Sequence, residues 1–285
     1  MMATLLKTVK WIHGAPNCEL SADPLIQVHL FDDDTFILRV SKCYSFEGNF
    51  IYLLFGDTRA VVFDTGGPPS PLNSHNQVDL PIRQTIDGIV ANWAKRHDLD
   101  GIDLVVAHTH SHDDHAHWDG QFVERPRTTI VKPALADVKA FFGLPDWPDG
   151  EATFELGNRR LIVFPTPGHE ASHLAVYEPR NKWLLTGDTL YAGLLTIRDW
   201  RAYRASAARL AKFAHAHKIT QVLGNHIEMR SQPRQLYPIG TTYQPDEHPL
   251  PLTAAHIDQL HAACEAMGDD QHRDAHDEFI IDAPH

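Results

Sequence analysis

Apolar residues recur along the chain in two spacings. Short β-branched and aromatic runs alternate with longer stretches in which apolar residues return every three or four positions. "NFIYLLFGDTRAVVFDTGG" holds two short runs around "GDT" and reads as a β-hairpin ending in a strand-to-loop exit. A Pro/Ser/Asn loop, "PPSPLNSHNQ", follows it. "LPIRQTIDGIVANWAKRHDL" then places Ile82, Ile86, Ile89, Val90 and Trp93 on one helical face. "IDLVVAHT" and "TTIVKP" have the length and branching of buried strands, and "ALADVKAFFG" after them is helical. In the second half "RLIVFPTPGH", "SHLAVYEP", "KWLLTGDTLY" and "TQVLGNH" predict strands. "DWRAYRASAARLAKFAHAHK" predicts a helix that buries Trp200, Tyr203, Leu210 and Phe213. A Pro-rich excursion, "QPRQLYPIGTTYQPDEHPLPLT", precedes a last helix, "TAAHIDQLHAACEAMG". No stretch has the length or bias of a linker, so one domain over residues 1–285 is expected, with 231–285 as a C-terminal extension. Strand-rich segments alternating with helices in both halves predict an α/β (α+β) fold of two packed sheets with helices outside.

Composition narrows the function classes. Apolar content of 43% and charged content of 22% are those of an ordinary soluble protein. A net charge of −12 argues against nucleic acid as a partner, since phosphate binding relies on clustered Lys and Arg. No apolar run reaches signal-peptide or membrane-span length, so a cytoplasmic location without a membrane partner is expected. Cys18, Cys43 and Cys264 are far apart, odd in number and form no CxxC pair, and they read as free, buried cysteines.

Histidine is the one excess, at 20 residues, and it is concentrated in "HTHSHDDHAHWDG", residues 108–120. Imidazole is the commonest metal-ligating side chain, with carboxylates as natural partners. Ligands in α/β proteins gather at the ends of buried strands. Four such ends here carry His or Asp: "AHTHSHDDH", "PTPGHEASH", "LLTGDTLY" and "VLGNHIE". Together they suit a metal site better than a polar surface.

These four segments, in this order, resemble the metallo-β-lactamase-fold hydrolases, whose fold is a four-layer αββα sandwich of two mixed sheets. The HxHxDH motif of that family matches His110, His112, Asp114 and His115, and later positions match His169, Asp188 and His226. The resemblance spans roughly residues 45 to 230 and fills every ligand position. It implies that His110, His112 and His169 hold one ion, that Asp114, His115 and His226 hold another, and that Asp188 bridges them. It also implies that Asp64, at the end of the opening hairpin, supports the site from behind. Such a shell suits two divalent ions, zinc first, with iron or manganese open. A second register, His115, His117 and Asp119, imitates HxHxD but has Gly120 where the last histidine would stand. His117 is a candidate for lining the pocket and His173 for supporting a ligand. Tyr191 and Asn225, beside ligands, are candidates for hydrogen bonding to substrate.

The expected activity is hydrolysis of a small ester, lactone or thioester by a metal-bridging hydroxide, with Asp114 or a metal-bound water returning a proton to the leaving group. His112 favours hydrolysis, because the redox branch of the family has Glu there. β-Lactamase or phosphoester hydrolase activity is the alternative within the fold, and a non-catalytic metal-binding sensor is the alternative outside it. The partner is then a small molecule. Segments 65–80 and 231–252 are expected to wall the substrate site, and apolar residues in the second are compatible with a homodimer.

Overall fold

The computed structural model describes residues 6–71 and 78–283. Its main elements are β1 (Ile26–Asp32), β2 (Thr35–Val40), β3 (Phe50–Phe55), β4 (Arg59–Phe63), α1 (Ile82–Arg96), β5 (Asp103–Ala107), α2 (Asp113–Ala116), β6 (Thr128–Ile130), α3 (Leu135–Phe142), β7 (Ala152–Glu155), β8 (Arg160–Pro165), β9 (Leu174–Glu178), β10 (Trp183–Gly187), β11 (Leu194–Thr196), α4 (Trp200–Ala216), β12 (Gln221–Gly224), β13 (Pro251–Leu252), α5 (Ala254–Met267), β14 (Arg273–Ala275) and β15 (Ile280–Asp282). Six strands form one mixed sheet in the order β1-β2-β3-β4-β5-β6, and six form a second in the order β13-β12-β10-β9-β8-β7. A small third sheet, β11-β15-β14, is closed by the C-terminal segment.

Three apolar clusters separate four layers. Ile37, Tyr52, Val61 and Val105 of the first sheet meet Val163, Val176, Trp183 and Leu223 of the second. Ile86, Val90 and Trp93 of α1 cover the outer face of the first sheet at Leu53, Val62 and Leu104. Tyr203 and Leu210 of α4 and Leu260 of α5 cover the second at Ala175, Leu184 and Val222. β3 reads "FIYLLF", apolar at every position, because its two faces feed two different clusters. This is the αββα sandwich expected above. β1 and β2 are not anticipated by the spacing argument: β1 is an edge strand whose exposed positions dilute its apolar signal.

The strands direct chemistry to one edge. β4 runs parallel to β5, β10 runs parallel to β12, and β8 and β10 each run antiparallel to β9. The C-terminal ends of β4, β5, β8, β10 and β12 therefore gather together. There the sheets are stitched by Phe50 N to Asn225 O at 2.8 Å, Leu174 N to Thr109 O at 2.8 Å and Tyr52 Oη to Gly224 O at 2.6 Å. At the opposite edge the buried Arg159 links them, donating to Glu178, the Phe55 carbonyl and Thr35.

One expectation is corrected. Cys18 and Cys43 form a disulfide, leaving Cys264 as the free, buried cysteine. Odd number and wide spacing concealed a pairing that depends on the N-terminal segment folding back onto the loop after β2. Such a cross-link restricts the unfolded chain and is worth about 3 kcal/mol for a loop of this kind. Thiol titration of the denatured, unreduced protein should therefore find one reactive thiol per chain, and Cys18→Ser should lower Tm. Three thiols without reductant would contradict the pairing.

Candidate metal centre

The motif after β5 is shaped by bends at residues 109–111, followed by the single turn of α2. The bends turn His108 away from His110 and His112, although all three occupy alternate positions. His108 is instead satisfied by Val131 O at 3.0 Å and Asp119 at 2.8 Å. Asp119 also accepts from Thr65, which takes it out of the second register. His117 pairs with Asp113 at the surface and does not line the central cavity.

Two glycines allow the remaining ligand loops to close. Gly168 has a φ of +139°, and a Cβ there would lie 2.5 Å from the Tyr203 backbone. Its carbonyl accepts from Arg198 N and Asp199 N, which seats the start of α4 beside His169. Gly187 has a φ of +51°, and a Cβ would meet His173 Nε2 at 2.6 Å. Its absence lets Asp188 N donate to that nitrogen at 3.0 Å, so His173 fixes the Asp188 loop without facing the cavity.

Seven side chains converge in two groups. His110 Nε2 and His169 Nε2 lie 2.9 and 3.0 Å from His112 Nδ1. Asp114, His115, Asp188 and His226 form the second group, with ligand atoms within 4.8 Å of one another. Asp188, of the second group, also approaches the first through Oδ2. It lies 3.4 Å from Nε2 of His115 and of His226, 3.6 Å from His169 Nε2 and 3.8 Å from His110 Nε2.

Outer partners fix which nitrogen faces inward. His169 Nδ1 donates to Thr196 O, His226 Nδ1 to Glu47 O and His115 Nδ1 to Asp64, leaving each Nε2 as the inward ligand. Asp64, fully buried with a φ of +74°, also accepts from Thr109 N and from Asn225 Nδ2. Both donors of Asn225 are committed, to Phe50 O and Asp64, so it supports the site from behind and none faces the cavity. Tyr191 Oη contacts Leu194 O and Glu228. Asn49, Thr109, Glu47 and Glu228 were not singled out from sequence. Asn49 Nδ2 holds Asp114 Oδ2 at 3.2 Å, and only its place before an apolar strand hinted at a role.

The electrostatics suit cation binding. Two buried polar atoms of these residues, His112 Nε2 and Asp188 Oδ1, have no hydrogen-bond partner among the described residues. Burial, reinforced by neighbouring imidazoles, lowers His110 well below its ordinary value and brings His112 down to about 4, so both are neutral and able to ligate a cation. Burial also opposes charge on His115 and His226, but Asp114 and Asp188 outweigh it and raise both. Those imidazolium ions hold Asp114 and Asp188 ionised against the cost of burial. Imidazole and carboxylate donors of this number fit two borderline divalent ions.

The cluster floors a cavity of about 250 Å³. Tyr237, Pro238, Ile239, Gly240 and Gln244 form one wall, as expected of segment 231–252, while Phe46 and Glu47 contribute another. Residues 72–77 of the other expected wall lie outside the described residues, and none of its described residues lines the cavity.

A family model described as the metallo-beta-lactamase superfamily matches residues 45–240. A hydroxyacylglutathione hydrolase from Mesorhizobium japonicum is 33% identical over 88 residues, 31% of this chain and 34% of its own. One from Chromohalobacter salexigens is 28% identical over 160 residues, 55% of this chain and 53% of its own. The chain thus spans between a third and about half of the length of these relatives. Among solved structures, the metallo-beta-lactamase FIM-1 from Pseudomonas aeruginosa, in its mono-zinc form, aligns with a TM-score of 0.54 at 14% identity, covering 86% of this chain and 97% of that one. The metallo-beta-lactamase DIM-1 aligns with a TM-score of 0.53 at 14% identity, covering 86% and 99%. At these identities the structural likeness speaks to the fold alone.

Three outcomes are expected of zinc binding. His115→Ala should lose tight zinc at one position, whereas His117→Ala should keep wild-type metal content by elemental analysis; equal loss in both would restore the second register. Asp188→Asn should weaken both ions by more than the roughly 10–100-fold that loss of an outer partner costs. Because His115 and His226 are raised in the metal-free protein, zinc must displace protons from them. Apparent zinc affinity should fall as pH falls, and calorimetry in buffers of different ionisation enthalpy should register proton release near neutrality; none would contradict the assignment.

Proposed function

The chain belongs to the metallo-beta-lactamase superfamily, and we propose that it is a dinuclear metal-dependent hydrolase of small acyl compounds, with thioesters first and esters and lactones beside them. The observation that carries this reading is the position of Asp188 Oδ2 within 3.8 Å of imidazole nitrogens from both ligand groups. Thioesters rank first because the relatives from Mesorhizobium japonicum and Chromohalobacter salexigens bear the name hydroxyacylglutathione hydrolase.

When bound, two divalent ions, zinc foremost, would supply Lewis acidity and an ionised water at neutral pH. The residues of the chain do the rest. Asp188 spans the two groups and partly neutralises them, while the outward Nδ1 bonds of His115, His169 and His226 keep their rings from turning. Asp114, held by Asn49 at the cavity floor, is placed to take a proton and hand it to the leaving group. Phe46, Leu194 and Ile239 line the cavity and reduce the water around a bound acyl chain.

No helix among the described residues is long and apolar enough to cross a membrane. The cytoplasmic location expected from sequence stands against the Cys18–Cys43 pairing, because persistent disulfides belong to oxidising compartments.

A panel of small thioesters, esters, lactones and a chromogenic β-lactam, tested with zinc-loaded and chelated protein, decides the reading. Zinc-dependent turnover of thioesters is expected, and Asp114→Asn should lower kcat by about a hundredfold or more. Silence across the panel with two zinc ions bound would favour the metal-binding sensor.

A further inference from the structure

The tip of the excursion before β13 stands over the metal floor and has few ties of its own. Tyr237, Pro238, Ile239, Gly240 and Gln244 wall the cavity. Among the described residues, backbone hydrogen bonding carries 238–244 to the rest of the chain only at the N-terminal segment. Gln244 N donates to His13 O at 2.9 Å, and Gly14 pairs with Tyr243 as an isolated antiparallel bridge. The approach is close: Gly14 has a φ of +80°, and a Cβ there would run into Thr242 O. A second cavity, of about 390 Å³, opens between Trp11 and His13 on one side and Gln244 and Pro245 on the other, so little side-chain packing backs this seam.

The N-terminal segment is itself held at few points. Trp11 is buried against Phe50, and Ile12 N donates to the Gln27 side chain at 2.8 Å. Beyond Gly14 the chain runs through the exposed Pro16 and Asn17 to Cys18, where the bond to Cys43 fastens it. Cys43 lies in the loop after β2, whose Phe46 and Glu47 form the other cavity wall. That loop has its own supports: Tyr44 N and Ser45 N donate to Ser41 O, Phe46 N to Ser70 Oγ at 2.7 Å, and the buried Lys42 to Phe46 O at 3.0 Å. One covalent bond thus joins the self-supported wall to the segment on which the other wall leans. Cys18 and Cys43 are both only half-buried, and accessible disulfides are the ones that thiols reduce readily.

We propose that Cys18–Cys43 is a redox-operated strap across the substrate cavity. With the bond formed, the segment from Ile12 to Cys18 is pinned and holds the 238–244 wall over the metal cluster. A dithiol reductant undoes it. One thiolate attacks a protein sulfur and displaces the other cysteine; the second closes the reductant's own disulfide and frees the first, so that two electrons and two protons pass to the protein. The wall then opens, while the floor, tied through Asp64 and His173, stays in place. The strap is independent of the hydrolase reading, and only its effect on turnover rests on that reading.

Hydrogen exchange read by mass spectrometry on the zinc-loaded chain tests this without a substrate. The oxidised protein is compared with protein reduced natively by a phosphine, which offers no thiolate to zinc, and with a variant carrying both Cys18→Ser and Cys43→Ser. Reduction and the double substitution should each speed exchange at 237–245 by about tenfold or more, with 108–116 and zinc content unchanged. Gly14→Ala, which keeps the disulfide but cannot seat against Thr242, should exchange fast at 237–245 in either redox state. Unchanged exchange at 237–245 on reduction, equal acceleration at 108–116 with loss of zinc, or a Gly14→Ala protein that still responds to reduction at 237–245 would overturn the strap. For a thioester that the protein hydrolyses, reduction should raise KM by about threefold or more with little change in kcat, and an unmoved KM would overturn the regulatory role. If exchange responds as expected while no thioester is hydrolysed in either redox state, the strap stands and the hydrolase reading falls.

Discussion

Burying carboxyl groups beside an apolar core is the constraint on which this molecule depends. Asp64 and Asp188 are almost wholly removed from water, and each is tolerable only because donors surround it. Asp64 takes hydrogen bonds from the Thr109 backbone, His115 and Asn225, so one carboxylate at the end of β4 ties together the loops after β5 and β12. Its left-handed backbone is held by that network. Asp188 has a different solution, with imidazole nitrogens on several sides and one oxygen left unpaired for a cation. Around these two groups the strand directions, the loop glycines and the histidine tautomers all agree.

The layered architecture follows from the same requirement. Two sheets joined back to back give several parallel strand ends on one edge, which no single amphipathic helix or hairpin could supply. Backbone bonds between Phe50 and Asn225 and between Leu174 and Thr109 lock the sheets where the ligands sit. The cavity walls come from less regular pieces, the loop after β2 and the excursion before β13, which join neither sheet. That division leaves the metal floor fixed while the walls determine the substrate.

Legibility in the sequence divides along the same line. The convergence of the seven candidate residues was readable because the segments that carry them follow strand-length apolar runs, and the layers were readable because β3 is apolar at every position. His117 was misleading because a two-residue spacing suits an extended strand, whereas α2 turns that side chain to the surface. The Cys18–Cys43 pair, Asn49 holding Asp114, and Glu47 beside Glu228 depend on contacts between distant segments. No local periodicity encodes them.

The central claim is that one carboxylate, Asp188, joins two ions. Anomalous diffraction at the zinc absorption edge from crystals of the zinc-loaded protein tests it most directly. Two peaks about 3.5–4 Å apart, both at roughly 2 Å from an Asp188 carboxylate oxygen, are the predicted result. A single peak, or two peaks of which only one touches Asp188, would contradict the account.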